Sequence, residues 1–169
     1  MEIKEKSIFI EVSKDEKLHL KRIYSDPNGK VAFLLHGAIE NGKIFYSDSG
    51  KGLAFFLAKN GFDVYIPDLS GINLLIEDSL NLEAISFFLK DNEIDIVINC
   101  VCMGNVDQCE REKDLAFKIN YSHVESLVRL SKEHKFKLVH FSSNAVYCGD
   151  KFKYDETSLK EPKNYYGEV

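Results

Sequence analysis

Four short apolar runs are the feature that most constrains the fold of this chain. Each is rich in aliphatic and aromatic residues and predicts a strand, and the runs 31–36 and 94–99 are typical of strands buried inside a sheet. Longer segments with helical spacing separate them. The runs are residues 31–36, 62–67, 94–99 and 137–141. Strands that alternate with helices predict an α/β fold with a mostly parallel sheet and helices on both faces.

Helical patterns fill the segments between these runs. Residues 52–59, a segment that starts at Asn81, and residues 112–134 repeat apolar side chains every three or four positions. Asn60 and Gly61 end the first helix as a C-cap pair, and Asn81 begins the second as an N-cap. Three helices are therefore expected to cover the sheet.

The first part of the chain has a different pattern. Residues 7–13 and 18–24 alternate apolar and polar side chains, and the polar residues 14–17 lie between them. This alternation predicts an antiparallel hairpin that is buried on one face. We expect the hairpin to lie at an edge of the sheet.

Length and composition exclude several classes of protein. A chain of 169 residues with 44% hydrophobic residues can bury one core of ordinary size. The sequence contains no run of about 20 apolar residues, and residues 1–6 are charged with no apolar signal segment after them. A net charge of -5 without a basic stripe argues against nucleic acid as a partner. We expect a cytoplasmic protein that does not bind membranes.

The four cysteines are expected to be reduced thiols. Cys100 and Cys102 follow the apolar run 94–99, where a thiol packs as a small apolar group. A metal site built on these two residues and Cys109 is disfavoured, because the usual spacing and a second pair of ligands are absent. We therefore predict no metal.

Five segments in the second part of the chain carry a family likeness together. They are residues 94–100, 105–110, 116–120, 138–149 and 154–167. With these segments in this order, the stretch from about residue 73 to residue 169 resembles the extended short-chain dehydrogenases/reductases of the sugar-nucleotide type, and most of all the dTDP-4-dehydrorhamnose reductases. The resemblance implies a three-layer Rossmann-like fold. It also implies an NAD(P)-dependent oxidoreductase that acts on a nucleotide-linked sugar.

The resemblance assigns roles to particular residues. Ser143 would hydrogen-bond the substrate carbonyl, and Tyr166 would act as general acid or base. Ser142 is the weaker candidate for the serine role. The alternative reading is structural, because a serine pair after a strand often only caps a turn. The residues assigned to the NAD or NADP cofactor are Asp78 near the adenine, Cys100, Val101 and Met103 beside the nicotinamide, and the helix residue Asn120.

Two features of this family are missing from the sequence. The Gly-rich turn, GxxGxxG, which lets a dinucleotide pyrophosphate approach the backbone, does not occur. The sequence also ends at Val169, one residue before the lysine that would follow Tyr166 by four positions. That ammonium normally lowers the pKa of the phenol. We therefore expect poor cofactor binding and impaired or absent activity in this chain alone.

Residues 3–71 resemble the opening of an α/β-hydrolase instead. The hairpin, the first buried strand, a loop, a helix and the next strand follow the order of that family, and His36, Gly37 and Ala38 match its oxyanion-type loop. The sequence has no GxSxG nucleophile motif, so hydrolysis is disfavoured. Residues 37–43 read GxxxxGK like a phosphate-binding loop, but Ile44 replaces the required hydroxyl, so nucleotide hydrolysis is disfavoured too.

These likenesses predict a composite organisation. Residues 1–71 would form a hydrolase-like segment and residues 72–169 a truncated reductase-like segment, both within one structural domain. The hydrolase-like strand, helix and strand would replace the first unit of the dinucleotide fold. Three functions remain open, namely an impaired sugar-nucleotide reductase, a non-catalytic module completed by a partner or a second copy, or a recombined fragment. A hydrolase-like protein without its nucleophile is a further alternative.

Overall fold

The computed structural model describes residues 2–11, 17–37, 42–68, 82, 86, 88–89, 92–151 and 153–169. Six strands form one sheet: β1 Lys4–Glu11, β2 Lys17–Tyr24, β3 Lys30–Leu35, β4 Phe62–Asp68, β5 Ile96–Asn99 and β6 Lys137–His140. The helices with described bounds are α1 Leu53–Lys59, α2 Val106–Arg111, α3 Lys113–Phe117, α4 His123–His134 and α5 Tyr165–Glu168. A π turn, Lys118–Ser122, joins α3 to α4, and 3-10 turns form at Gly42–Ile44 and Asn144–Val146.

The strand order is β1-β2-β4-β3-β5-β6. The four strands β4, β3, β5 and β6 are parallel, whereas β1 and β2 pair antiparallel to each other and β2 pairs antiparallel to β4. The predicted mostly parallel sheet with an antiparallel hairpin at one edge is therefore confirmed. Strand β3 lies between β4 and β5, so strands from both parts of the chain belong to one sheet.

The two faces of the sheet bury different helices. Alternate residues of β3 point to opposite sides, because side chains in a strand have a period of two. On one side Phe33 and Leu35 pack with Leu127 of α4 and with the helical residues Phe88 and Leu89. On the other side the residues of α1 cover the sheet. The α1 residues in this second core are Ala54, Phe55 and Ala58. The predicted three-layer arrangement is confirmed.

A buried ion pair fastens the hairpin to the sheet. The Arg22 side chain of β2 donates to both carboxylate oxygens of Asp63 in β4, from Nε at 2.8 Å and from Nη2 at 2.6 Å. The Tyr65 hydroxyl donates to the same carboxylate at 3.2 Å. The guanidinium also lies 4.3 Å from the ring centroid of Tyr24. Sequence reasoning missed this contact, because charged residues in a strand normally face solvent.

Local boundaries differ from the prediction in three places. The hairpin begins earlier, at Lys4, and its predicted turn falls mostly within residues 12–16, which lie outside the described residues. The predicted helix 112–134 is divided by the π turn into α3 and α4. Helix α2 precedes it and is capped by Asn105, whose Oδ1 accepts from the Gln108 N-H at 3.0 Å. Its surface is too polar for periodicity to predict.

The helix predicted to start at Asn81 lies partly outside the described residues, and its N-cap Asn81 lies wholly outside them. Leu82, Ser86, Phe88 and Leu89 have helical backbone, in agreement with the helix predicted in this segment.

Candidate active site

A cavity of about 340 Å³ lies beyond the carboxyl ends of β5 and β6. This edge is where ligands bind in open α/β sheets, because the loops that leave neighbouring strands diverge there. The cavity walls come from the loop after β5, the loop after β6, the π turn and helix α5 with the segment before it. The lining residues are Val101, Cys102, Asn120, His140, Phe141, Ser142, Ser143, Val146, Lys160, Pro162, Tyr166, Gly167, Glu168 and Val169.

Four residues predicted for the reductase site share this cavity. Ser143 and Tyr166, the predicted catalytic pair, lie on its walls together with Val101 and Asn120. Met103 is buried and Cys100 is half-buried, and neither lines the cavity. Their roles toward a ligand stay predictions. Asp78 lies outside the described residues.

Ser143 is held by the turn that follows β6. Its side-chain oxygen accepts a hydrogen bond from the Ala145 N-H at 3.2 Å and caps the 3-10 turn Asn144–Val146. Ser143 therefore caps a turn, as the structural alternative predicted. This does not exclude a hydrogen bond to a substrate carbonyl, because a hydroxyl that accepts one bond still has its own hydrogen to donate.

Tyr166 is carried by the short helix α5. Asn164 caps this helix, and its Oδ1 accepts from the Gly167 N-H at 2.9 Å. Glu110 of α2 accepts from the Tyr165 N-H at 2.6 Å, which ties α5 to the rest of the fold. Both tyrosines are half-buried against a small core of Met103, Cys109 and Ala116.

Asn120 clamps the loop after β5. Its Oδ1 accepts from the Met103 N-H at 2.7 Å, and its Nδ2 donates to the Met103 carbonyl at 3.2 Å. The buried Cys109 thiol donates to the same carbonyl at 3.2 Å. Burial, assisted by nearby acidic groups, raises the pKa of Cys109, so this thiol stays protonated. Asn120 thus shapes the cavity through the backbone of Met103.

Sequence reasoning missed the pair formed by Asn99 and His140. These residues are direct neighbours in the β5–β6 register, and the Asn99 side chain is fully buried. Asn99 Nδ2 lies 3.1 Å from His140 Nδ1, and Asn99 Oδ1 accepts from the Val101 N-H at 3.2 Å. Burial lowers the pKa of His140. The signals in the sequence were the polar residues Asn99 and His140 at or near the ends of two predicted strands.

The predicted oxyanion-type residues lie elsewhere. His36 and Gly37 are buried at the end of β3, and the His36 Nδ1 donates to the Gly37 carbonyl at 2.9 Å. Neither residue lines the cavity described above. Ala38 lies outside the described residues. The predicted hydrolase-type role of this loop stays a prediction.

The sequence model of the RmlD substrate binding domain matches residues 49–169. The chain belongs to this family. The likeness to sugar-nucleotide reductases inferred for the second part of the chain is thereby confirmed. The matched residues include every residue that lines the cavity.

Relatives of this RmlD-family chain include two bacterial proteins named dTDP-4-dehydrorhamnose reductase. The protein from Aggregatibacter actinomycetemcomitans is 32% identical over 120 residues, which are 70% of this chain and 39% of that protein. The protein from Escherichia coli K12 is 30% identical over 109 residues, which are 64% of this chain and 34% of that protein. The chain thus corresponds to well under half of their length.

Solved structures extend the likeness toward the first part of the chain. A dTDP-4-dehydrorhamnose reductase from Bacillus anthracis, in complex with NADP, superposes with a TM-score of 0.64 at 26% identity, over 85% of this chain and 47% of that one. A hypothetical reductase of the same name from Sulfolobus tokodaii gives 0.62 at 28% identity, over 81% and 48%. The RmlD-family fold therefore continues beyond the residues that the family model matches.

Within the described ranges, no helix is long and apolar enough to cross a membrane.

The family implies a dinucleotide, and the residues after β3 test whether one fits. In the family fold, a Gly-rich turn leads directly into a helix whose free N-H groups receive the pyrophosphate. Here α1 begins only at Leu53, and its Ala54 N-H already donates to the Phe45 carbonyl at 2.9 Å. The Ala54 N-H is therefore engaged within the chain and is not available to a pyrophosphate, while residues 38–41 lie outside the described residues.

Proposed function

We propose that the cavity is the carbonyl site of a sugar-nucleotide reductase of the dTDP-4-dehydrorhamnose reductase type, and that this chain by itself is impaired in that reaction. The observation that carries the proposal is that Ser143 and Tyr166 line one cavity at the carboxyl end of the sheet. The loop that holds one and the helix that holds the other are packed backbone to backbone at Ala145 and Gly167. Such packing fixes the spacing of the two backbone segments that carry Ser143 and Tyr166.

The proposed chemistry assigns each hydroxyl one task. The Ser143 oxygen accepts the Ala145 N-H, which leaves the serine hydrogen to donate to a substrate carbonyl oxygen. The Tyr166 phenol gives its proton to the same oxygen as the carbonyl is reduced to an alcohol. Two donors aimed at one oxygen stabilise the negative charge that develops there.

The proposed substrate is a keto-sugar linked to a nucleoside diphosphate, and the reductant is NADPH or NADH. The names of the relatives, and the NADP in one related structure, support these choices. The impairment follows from the engaged Ala54 N-H and from the missing Gly-rich turn. None of the four cysteines, all of which are described, forms a disulfide, which suits a reducing compartment such as the cytoplasm.

A cofactor titration and a turnover assay test the proposal. We expect NADPH and NADH to bind more weakly than micromolar, and reduction of dTDP-4-dehydrorhamnose to be slow. Micromolar binding, or turnover at an ordinary enzymatic rate, would contradict the impairment. The residual rate should fall about 100-fold or more in Tyr166→Phe and in Ser143→Ala. Tyr165→Phe is the matched control, because this neighbouring ring does not line the cavity.

A second candidate is a non-catalytic module that a partner or a second copy completes. It is favoured by the same mismatch, since the described residues supply the carbonyl side of a site without a pyrophosphate cradle. Light scattering with and without NADPH separates the two candidates. A defined oligomer without cofactor affinity supports the module, whereas a monomer with slow turnover supports the impaired reductase. The division at residue 71 into hydrolase-like and reductase-like segments remains a proposal.

A further inference from the structure

We infer that His140 is a positioning residue of this cavity: its neutral ring holds Asn99 in the one orientation that fastens the loop after β5. The inference rests on the proposed function only for the identity of the ligand that the cavity binds. The hydrogen-bond network itself belongs to the chain, whatever ligand it binds.

The network has one consistent arrangement of hydrogens. The Val101 N-H can only donate, so the Asn99 atom that faces it at 3.2 Å must be the carbonyl oxygen. The NH2 group of Asn99 then faces His140 Nδ1 at 3.1 Å. Because that group can only donate, Nδ1 must be a bare acceptor. The imidazole hydrogen therefore lies on Nε2.

A proton added to Nδ1 would break this arrangement. Two donors would then face each other between His140 and Asn99. If the Asn99 amide turned over to relieve the conflict, its NH2 group would meet the Val101 N-H instead. Either way one hydrogen bond is lost, and Asn99 is fully buried, so water does not readily replace the missing partner.

The loss would reach the cavity wall. Val101 and Cys102 line the cavity, and the loop they belong to is fixed at its start by the Cys100 N-H, which donates to the Leu35 carbonyl at 2.9 Å. Further along, Asn120 holds Met103. The Asn99 bond to Val101 is an anchor between these two points. Protonation of His140 should therefore loosen the wall between two fixed ends.

Surrounding groups favour the neutral ring. Partial burial lowers the pKa of His140, although the residue keeps a solvent-exposed side, and the Asn99 main chain opposes this only in part. Other titratable or charged groups on the cavity walls are Cys102, Lys160, Tyr166 and Glu168. Helix α4, which packs on β6, carries the buried His123 and the exposed residues Glu125, Arg129, Lys132, Glu133 and His134. The lowered pKa of His140 comes from partial burial, and no charge from these groups contributes to it.

Nuclear magnetic resonance of the protein alone tests the network. In the wild type, the Val101 amide signal should move with the titration of His140, below the ordinary pKa of about 6.5. Protection of the Val101 amide from exchange should fall roughly three- to tenfold as the ring becomes charged. The amides of α1, which packs on β2 and β4, are the internal control and should not follow the change at Val101.

Two substitutions make the test specific. In Asn99→Asp, a carboxylate can accept from both Val101 and a protonated His140, so the pKa of His140 should rise above 6.5 instead of falling. In His140→Gln, an amide oxygen can accept from Asn99 without titrating, so Val101 should stay protected at acid pH. The inference would be overturned if the Val101 amide signal does not change as His140 titrates, or if the pKa of His140 does not rise in Asn99→Asp.

Ligand binding separates this inference from the proposed function. The affinity for dTDP, measured by calorimetry from pH 8 to pH 5, should weaken with protonation of His140 in the wild type and stay more constant in His140→Gln. If dTDP does not bind at all while the Val101 amide follows His140, the proposed function fails and the positioning role stands. If dTDP binds with the same pH dependence in both proteins, the positioning role fails.

Discussion

Gly167 packs directly against Ala145, so closely that a Cβ on residue 167 would overlap the Ala145 carbonyl oxygen. The same Cβ would lie 2.9 Å from the Cβ of Pro162. Because Tyr166 precedes the glycine and the Ser143 turn contains Ala145, this contact sets the distance between the two proposed catalytic segments. A residue without a side chain is required here by contact with backbone, which cannot rotate away.

We expect Gly167→Ala to destabilise the protein by about 1–3 kcal/mol, the range seen when a well-packed site is overfilled. Chemical denaturation measures this change as a shift in midpoint. Gly104→Ala is the matched control, because its new Cβ would meet the Cys102 sulfur at an ordinary 3.8 Å. Equal losses in the two variants would show that the contact with Ala145 is not the cause.

The ion pair between β2 and β4 should be costly to break. Asp63 is 3% exposed and Arg22 is 17% exposed, so Asp63→Asn leaves a largely buried guanidinium without its carboxylate. We expect a loss of about 3–5 kcal/mol in the free energy of unfolding. The control is Glu11→Gln, which breaks the exposed pair with Lys17 and should cost less than about 1 kcal/mol. Similar losses of unfolding free energy in the two variants would show that burial does not make the Arg22–Asp63 pair more costly to break.

Removal of the Asn120 side chain should expose the Cys109 thiol, which donates to the Met103 carbonyl in the loop after β5. Asn120→Ala deletes two hydrogen bonds to Met103, worth about 1–2 kcal/mol together. The fully buried Cys109 should then be alkylated about 5- to 30-fold faster under native conditions. Mass spectrometry measures its rate against that of Cys148 in the same sample. An unchanged ratio would mean that the loop is held by other contacts.

Alkaline pH should weaken the fold through Tyr65. Burial, helped by the Asp63 carboxylate, raises the pKa of Tyr65 to about 12 from 10.0. Between these pH values the unfolded chain loses the proton while the native state keeps it, so stability falls as pH rises. In Tyr65→Phe, the free energy of unfolding should therefore decline less steeply over this interval. Tyr121→Phe, on an exposed residue, is the control and should leave the slope unchanged.

Much of the architecture was readable from local patterns. The apolar runs predicted β3, β4, β5 and β6, and the alternating segments predicted the edge hairpin. Both predictions were possible because the period of apolar residues depends on local geometry alone. The positions of Ser143 and Tyr166 came from family likeness, and the structure brings both to one cavity. Helix α2 was missed because a short polar helix has no strong period.

Contacts between residues far apart in the chain could not be predicted from the sequence. The pairs Asn99 with His140 and Arg22 with Asp63 each join residues 41 positions apart. A strand pattern states which face a side chain occupies but not which residue of the neighbouring strand lies opposite it. Each of these pairs requires one register, and a shift by one residue would remove it.

The sequence by itself determined the order of strands and helices, the edge hairpin and the family of the second part of the chain. Only the tertiary structure decided that β3 lies between β4 and β5, that Gly167 packs against Ala145, and that the Ala54 N-H of α1 is engaged by the Phe45 carbonyl. The physical reason is that periodicity and turn chemistry act over a few residues. Strand register, backbone contacts and the partner of each hydrogen-bonding group depend on packing between distant segments.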